Sequence, residues 1–418
     1  MNLIKRDFYL NQLINKQQNN LIKIITGVRR CGKSFLLFTL FRDYLVSQGH
    51  DEEHIIAIAL DDFKNRKYLN PEALYDYVVS KIVDDKPYYI LLDEIQLVVG
   101  FEGVLNGFLH IKNADTYVTG SNSKFLSSDI ITEFRGRGDE IRVYPLSFSE
   151  FYSAVGGDKQ EALYQYFLYG GMPLTLSMQS HVEKTNYLNG LFRSVYMQDI
   201  IARYNLRATD EMFELLEILS SNIGCLTNPQ RLENTFRSEK SLKLTKQTIT
   251  TLLRYFEESF LIEKAMRYDV KGRRYIGTPQ KYYFADMGIR NAVIGFRQTE
   301  ETHIMENVIY NELKIKGFSV DVGDVEIFEK ENDKTQRKHL EVDFVANRGG
   351  NRYYIQSAFS MDSAEKELQE KKSLKNIDDS FKKIIIVKAP VVPAYDENGF
   401  LVIGLLDFLL LNSKHFLF

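Results

Sequence analysis

The stretch that most constrains this chain is Gly27-Val28-Arg29-Arg30-Cys31-Gly32-Lys33-Ser34, set between an apolar run at 21–26 and a helical pattern at 35–45. Glycines near both ends let the backbone curl so that successive N–H groups point inward, and the N-terminus of the next helix adds partial positive charge. A loop built this way cradles phosphate. All eight residues are therefore candidates to line a nucleotide, with Lys33 reaching the β and γ phosphates and the Ser34 hydroxyl ligating Mg²⁺. Strand, loop and helix in this order predict an α/β sheet, covered on both faces, with its ligand at the carboxyl ends of the strands.

A second run, Tyr88-Tyr89-Ile90-Leu91-Leu92-Asp93-Glu94, reads as a buried strand that ends in two acids. Following a phosphate loop, this pattern assigns Asp93 to Mg²⁺, held through water. Glu94, just past the strand, is placed to activate a water for attack on the γ-phosphate. Further strands are expected at 54–60, ending in Asp61-Asp62, and at 115–119. The latter leads into Gly120-Ser121-Asn122-Ser123, where Thr119, Ser121 and Asn122 compete as the polar sensor of the γ-phosphate or the attacking water; Asn122 is carried forward as the catalytic candidate. Arg135 and Arg137, on a glycine-flanked loop before a strand at 140–144, are candidates to neutralise charge on the transferring phosphoryl group. About five strands are expected through Tyr144.

At 418 residues the chain exceeds one ordinary core and predicts about three domains. A net charge of -3 argues neither for nor against a polyanionic partner, so only local patches carry information. The two cysteines, Cys31 and Cys225, make neither a disulfide framework nor a zinc site. The N-terminal residues lack the apolar core of a secretory leader, and the most apolar window, 400–411, is interrupted by Asp407 and too short to span a bilayer. These features point to a cytoplasmic chain without a membrane span.

Beyond Pro145 the pattern turns helical through about 204, broken at Gly156-Gly157 and at Tyr169-Gly170-Gly171-Met172-Pro173, and reads as a lid over the nucleotide site. Helices expected at 209–220, from 228 and at 245–256, the last capped by Thr245, are followed by a strand at 260–264 and by two basic or aromatic pieces at 267–275 and 281–284. Together they make a winged helix. Residues 227–282 hold 12 Lys plus Arg against 6 Asp plus Glu, a balance suited to a nucleic-acid backbone. Lys246 and Arg254 would lie on the recognition helix, and Lys271, Arg273 and Arg274 on the wing. A helix at 304–314, strands at 318–322, 325–329, 340–345 and 353–359, a helix at 363–374 and a strand at 383–388 close the chain. The expected boundaries are 1–148 for the P-loop core, 149–205 for the lid, 206–295 for the winged helix and 296–418 for the last domain.

On these motifs, with Leu91-Leu92-Asp93-Glu94, Thr119-Gly120-Ser121, the Gly170-Gly171 turn and Glu341-Val342-Asp343-Phe344, nearly the whole chain resembles a prokaryotic AAA-type ATPase family. That family joins a P-loop domain to a C-terminal winged helix and a PD-(D/E)XK, or restriction-endonuclease-like, domain. The resemblance implies ATP binding and hydrolysis with Mg²⁺, and by analogy a homo-oligomer in which Arg135 or Arg137 acts across a subunit boundary. It leaves the coupled process open. In the endonuclease-like part Glu306 and Asp343 stand where two acids are expected, while Gln356 and Ala358 take the places of the third acid and the lysine, so nuclease activity is not expected. Glu341 and Lys366 are the residues from which a rearranged site would be built. The leading expectation is an ATPase that uses Mg-ATP to drive conformational change on or with nucleic acid, DNA through the winged helix first. The alternative is a nucleotide-dependent switch or scaffold that binds a protein partner and turns ATP over slowly. A small-molecule kinase is disfavoured by Glu94 beside Asp93.

Overall fold

Strands β1 (Ile22–Gly27), β2 (Ile55–Ala59), β3 (Tyr88–Asp93), β4 (Ala114–Thr119) and β5 (Gly138–Val143) form one sheet in the order β2-β3-β4-β1-β5. Every neighbouring pair is parallel. Because β4 lies between β1 and β3, with Ile25 beside Thr119 and Leu92 beside Val118, the ends of these three strands meet at one edge. The computed structural model describes residues 4–120, 136–206, 210–240, 244–297, 300–331 and 334–411. Its first compact unit runs to Pro145 and includes Glu258–Phe260.

β1, β2 and β3 are near-continuous apolar runs because both faces of the sheet are covered. Ile22, Ile24, Ile58, Ile90, Leu92 and Val118 pack with Leu74 and Val78 of the helix Pro71–Lys81, and with Leu105 and Phe108 of the helix Phe101–Phe108. Lys23 is the exception inside β1: it is fully buried and paired to Asp115, which also accepts the Tyr117 hydroxyl at 2.8 Å. Burial pushes the Lys23 pKa down, and the Asp115 charge opposes that shift.

The second unit takes Leu146–Glu257 and the chain from Leu261 onward. Helices Phe148–Val155 and His181–Leu191 each start with a serine and glutamate capping box, at Ser147 and Glu150 and at Ser180 and Glu183. The helix Lys159–Tyr169 ends at Gly170-Gly171, and the Gly171 N–H donates to Asp286 Oδ2 at 2.7 Å. Asp286 also caps the helix Met287–Val293, and Asn291 donates to the carbonyls of Phe167 and Leu168 at 2.9 Å. The glycine turn and residues 286–291 thus share their hydrogen bonds.

Helices Asp210–Ser221, Pro229–Thr235 and Lys246–Glu258 precede a hairpin of β6 (Ile262–Asp269) and β7 (Arg274–Phe284). Thr245 caps the third helix as expected, its hydroxyl accepting from Thr248 N at 3.2 Å. The hairpin belongs to a larger sheet. With β8 (Ser319–Glu331), β9 (Lys334–Arg348), β10 (Asn351–Ala358), β11 (Lys382–Val387), β12 (Ala394–Tyr395) and β13 (Leu401–Gly404) it forms eight strands in the order β12-β13-β11-β10-β9-β8-β6-β7. The helices Glu301–Ile315 and Ala364–Lys375 precede β8 and β11 respectively.

Two expectations are corrected here. The strands expected at 318–322 and 325–329 are one strand, β8, because Gly323 serves a close approach rather than a turn: a Cβ there would lie 2.8 Å from that of Val342. The pieces expected at 267–275 and 281–284 separate into the end of β6, a turn and the long β7. Near Gly323 the ladder pairs Asp321 with Val345 and Gly323 with Val342, so β9 carries one residue more than β8 across this stretch. That bulge falls at Asp343-Phe344, and bulges re-aim side chains.

Candidate nucleotide site and a buried carboxylate cluster

The phosphate loop leaves β1 at Gly27, whose φ is +136° and where a Cβ would meet the Val143 carbonyl oxygen at 2.0 Å, so only glycine fits. Gly32, at φ +98°, turns the chain into a helical run that starts at Lys33 and continues through Leu36–Phe41 to Ser47. Val28 and Cys31 are buried, and the Cys31 thiol lies 3.4 Å from the Val143 carbonyl oxygen, so these two residues offer backbone rather than side chain to a ligand. Arg30 is exposed at φ +66°. The Lys33 ammonium is buried in the loop and donates to the Gly27 and Val28 carbonyls at 3.1 Å.

A residue the sequence did not flag holds this loop from behind. Arg6 is buried and donates to the Cys31 carbonyl at 3.0 Å and to the Tyr144 carbonyl at 2.7 Å, tying the loop to the end of β5. Tyr9 accepts the Tyr144 N–H at 3.1 Å and lies beneath the Arg6 guanidinium. The helix Asp7–Asn15 is thus part of the loop's support.

Facing the loop, Asp93 is buried and hydrogen-bonded by the Thr119 hydroxyl, which also accepts the Glu94 N–H at 3.1 Å. Burial raises the Asp93 carboxyl above its ordinary range, hydrogen bonds from Thr119 and Ser34 oppose the rise, and the charges of Glu94 and Asp61 add to it. A buried carboxylate beside a loop hydroxyl and flanked by two further acids fits a divalent cation, whose charge would relieve that repulsion. Glu94 adopts a left-handed conformation at φ +54°, and Gln96 donates to its carboxylate. Of the sensor candidates Thr119 alone is among the described residues; Ser121 and Asn122 lie outside them, as does Arg135. Arg137 sits at the opposite edge of the sheet, its carbonyl accepting from Ile22 N at 2.9 Å. The length of β1, roughly 17 Å, separates it from the loop, so it cannot serve the site of its own chain.

The basic candidates of the second unit are exposed. Lys246 and Arg254 lie on the outer face of a helix that buries Ile249, Leu252, Leu253 and Phe256. Lys271 and Arg274, at the hairpin turn, share a cleft with Asp269, Glu326 and Glu329, and Arg274 lies 3.4 Å from Asp269. Arg273 lines a different cleft with Arg348 and Arg352, two cations the sequence reading did not connect to it.

Glu306 and Asp343 come together, and Glu341 joins them, around the Lys281 ammonium. Lys281 lies 2.8 Å from Glu306, 2.6 Å from Glu341 and 3.8 Å from Asp343. The Tyr283 hydroxyl donates to the same Glu306 oxygen at 2.6 Å, and Asp343 accepts the Ser357 N–H at 2.7 Å. Burial pulls the Lys281 ammonium down, but the charges of Glu306, Asp343 and Glu341 outweigh it and hold the group above the usual lysine range. Burial, then the Glu306 charge, pushes the Asp343 carboxyl well up. Gln356 is not part of this cluster: it donates to Glu370 at 3.3 Å. Ala358 packs in apolar core with Leu374, and Lys366 is exposed and bound to Asp362 and Ser360. The available signal was a lysine and a tyrosine at alternate positions of an apolar strand, Lys281-Tyr282-Tyr283-Phe284.

A family model described as an AAA domain matches residues 19–152, and one described as a domain of unknown function (DUF8612) matches residues 160–300. The chain is 33% identical over 414 residues to an uncharacterized protein of Haemophilus influenzae, covering 98% of this chain and 99% of that protein. It is 28% identical to an uncharacterized protein of Methanocaldococcus jannaschii, covering 95% and 86%. Among solved structures, a Walker-type ATPase of Pyrococcus abyssi matches with a TM-score of 0.51 at 15% identity, over 70% of this chain and 96% of that one, a likeness of fold.

Proposed function

We propose that this chain, which belongs to one family with the Haemophilus influenzae protein and carries an AAA domain at residues 19–152, is a Mg-dependent ATPase that couples ATP hydrolysis to conformational change. Lys33 binds the β and γ phosphates once its ammonium leaves the loop carbonyls, and the loop N–H groups take the remaining phosphate oxygens. Ser34 and Asp93 are the residues to hold Mg²⁺, which supplies charge neutralisation on the phosphates. Glu94 accepts the proton of the attacking water, and Gln96 fixes its carboxylate meanwhile. The observation that carries this reading is Thr119: one hydroxyl joins the Asp93 carboxylate to the Glu94 backbone, so the two acids are set relative to each other by one side chain.

Nucleic acid is the favoured client. Three helices and a hairpin are what a winged helix is built from, and the exposed cations Lys246, Arg254 and Arg273 on these elements support that reading. The switch or scaffold reading draws on Phe63, Leu97 and Val99, apolar side chains exposed in the segments that follow β2 and β3, where a protein partner would find purchase. Phosphate release with DNA, with RNA and with neither separates the two. Stimulation by a polynucleotide supports the first; basal turnover indifferent to both supports the second. Absence of any Mg-dependent release would remove hydrolysis from the account.

A further inference from the structure

An endonuclease-like domain implies a divalent cation held by converging carboxylates, and the residues here do not fit one. Among the described residues no group of three or more His, Cys, Asp or Glu side chains is disposed to hold a metal ion. Yet Glu306, Glu341 and Asp343 do converge, the first from a helix and the others from β9, Asp343 at its bulge, and the point on which they converge carries the Lys281 ammonium. We propose that Lys281 is the resident cation of this centre: a built-in ammonium stands where a divalent ion would otherwise be held, and the cluster is a metal-independent clamp.

Three independent features support the assignment. The first is charge. Lys281 is fully buried, and a buried ammonium is stable only where anions surround it. A divalent ion brought to the same carboxylates would have to expel it or bear its repulsion. The second is that part of the ligand set is already engaged. Glu306 already accepts from both Lys281 and Tyr283 on one oxygen, and one Asp343 oxygen is committed to the Ser357 N–H. The third is space. Gly224 presses its backbone against the Glu306 carboxylate so closely that a Cβ would lie 2.9 Å from it, which leaves that side no room for a hydrated ion. The ammonium of Lys281 therefore serves these acids as their counter-ion.

The test uses the nucleotide-free full-length protein and Mn²⁺ alone, read by electron paramagnetic resonance titration and by the shift in melting temperature. Wild type is expected to show no stoichiometric Mn²⁺ binding and no Mn²⁺-dependent rise in melting temperature. Lys281→Gln, which keeps an amide donor for Glu306 while removing the charge, is expected to melt lower, to bind about one Mn²⁺ per chain at least tenfold more tightly than wild type, and to regain part of its melting temperature when Mn²⁺ is added. Adding Asp343→Asn to that variant should abolish the gain. Lys281→Ala serves as a second variant and should show the same gain of Mn²⁺ binding wherever it folds. Stoichiometric Mn²⁺ binding by wild type that is lost on Asp343→Asn would overturn the proposal. So would a folded Lys281→Gln protein that binds Mn²⁺ no better than wild type.

Discussion

Lys33 and Glu94 have separable roles, and their variants should fail differently. Lys33→Ala removes the ammonium that the loop holds ready, so binding of a fluorescent ATP analogue should be lost or severely weakened. Glu94→Gln keeps the loop intact and should bind the analogue while hydrolysing ATP at least tenfold more slowly, a loss of about 1.4 kcal/mol or more of transition-state stabilisation. Wild-type turnover by Glu94→Gln would refute the assignment of the base. These residues were legible because their chemistry is compressed into short spacings: eight residues for the loop, and an apolar strand ending in two acids. Arg6 and Lys281 were not. Arg6 meets its acceptors 25 and 138 residues away, and Lys281 meets Glu306 across 25 residues and a change of element. No local pattern announces such a meeting. Gln356 shows the converse, because a residue aligned with a motif by its position on a strand is held elsewhere by Glu370.

At the scale of elements, the helix Lys246–Glu258 and the hairpin carry the nucleic-acid reading. Reversing Lys246, Arg254 and Arg273 together to glutamate should weaken DNA binding and flatten its dependence on salt, since fewer phosphate counterions are released. Unchanged affinity and slope in a fluorescence-anisotropy titration would return these cations to a solvated surface. Asp286 makes a second prediction. Burial raises its carboxyl from an ordinary 3.8 to about 6, against the opposing bonds from Gly171, Ile289 and Gly288. A raised acid contributes stability that is complete below the unfolded value and is lost as pH rises through the folded one, here on the order of 3 kcal/mol. Asp286→Asn should therefore flatten the pH dependence of the urea midpoint between about 4 and about 6, relative to wild type. Parallel profiles would contradict it. The individual elements were largely legible from apolar period and caps, as at Thr245 and at the parallel strands around the loop. What misled was Gly323, where glycine at a close approach carries the same letter as glycine at a turn, and the hairpin, whose alternation says nothing of which strand it will join.

At the scale of the whole molecule, the relative in Haemophilus influenzae matches over 98% of this chain, so the match spans both the P-loop unit and the second unit. Arg137 gives that scale its own prediction. Lying across the sheet from its own loop, it can meet a γ-phosphate only on another copy of the chain. Specific activity should then rise with protein concentration, and an inactive Lys33→Ala chain mixed with an Arg137→Ala chain should recover activity. Constant specific activity without rescue would leave Arg137 a surface cation. Within the second unit, the eight-stranded sheet has an uneven weave. Between β8 and β9 the ladder runs from Ser319 to Glu331, the whole length of β8, whereas β6 meets β8 only from Arg267 to Asp269. That short stitch is a seam, and the Lys281 cluster reaches over it, since β7 lies beyond the seam and β9 behind it. In hydrogen exchange the amides of residues 267–270 should open well before those of central β9. The sheet would then part along a line already drawn, with the buried ammonium as the rivet that keeps its two panels in register.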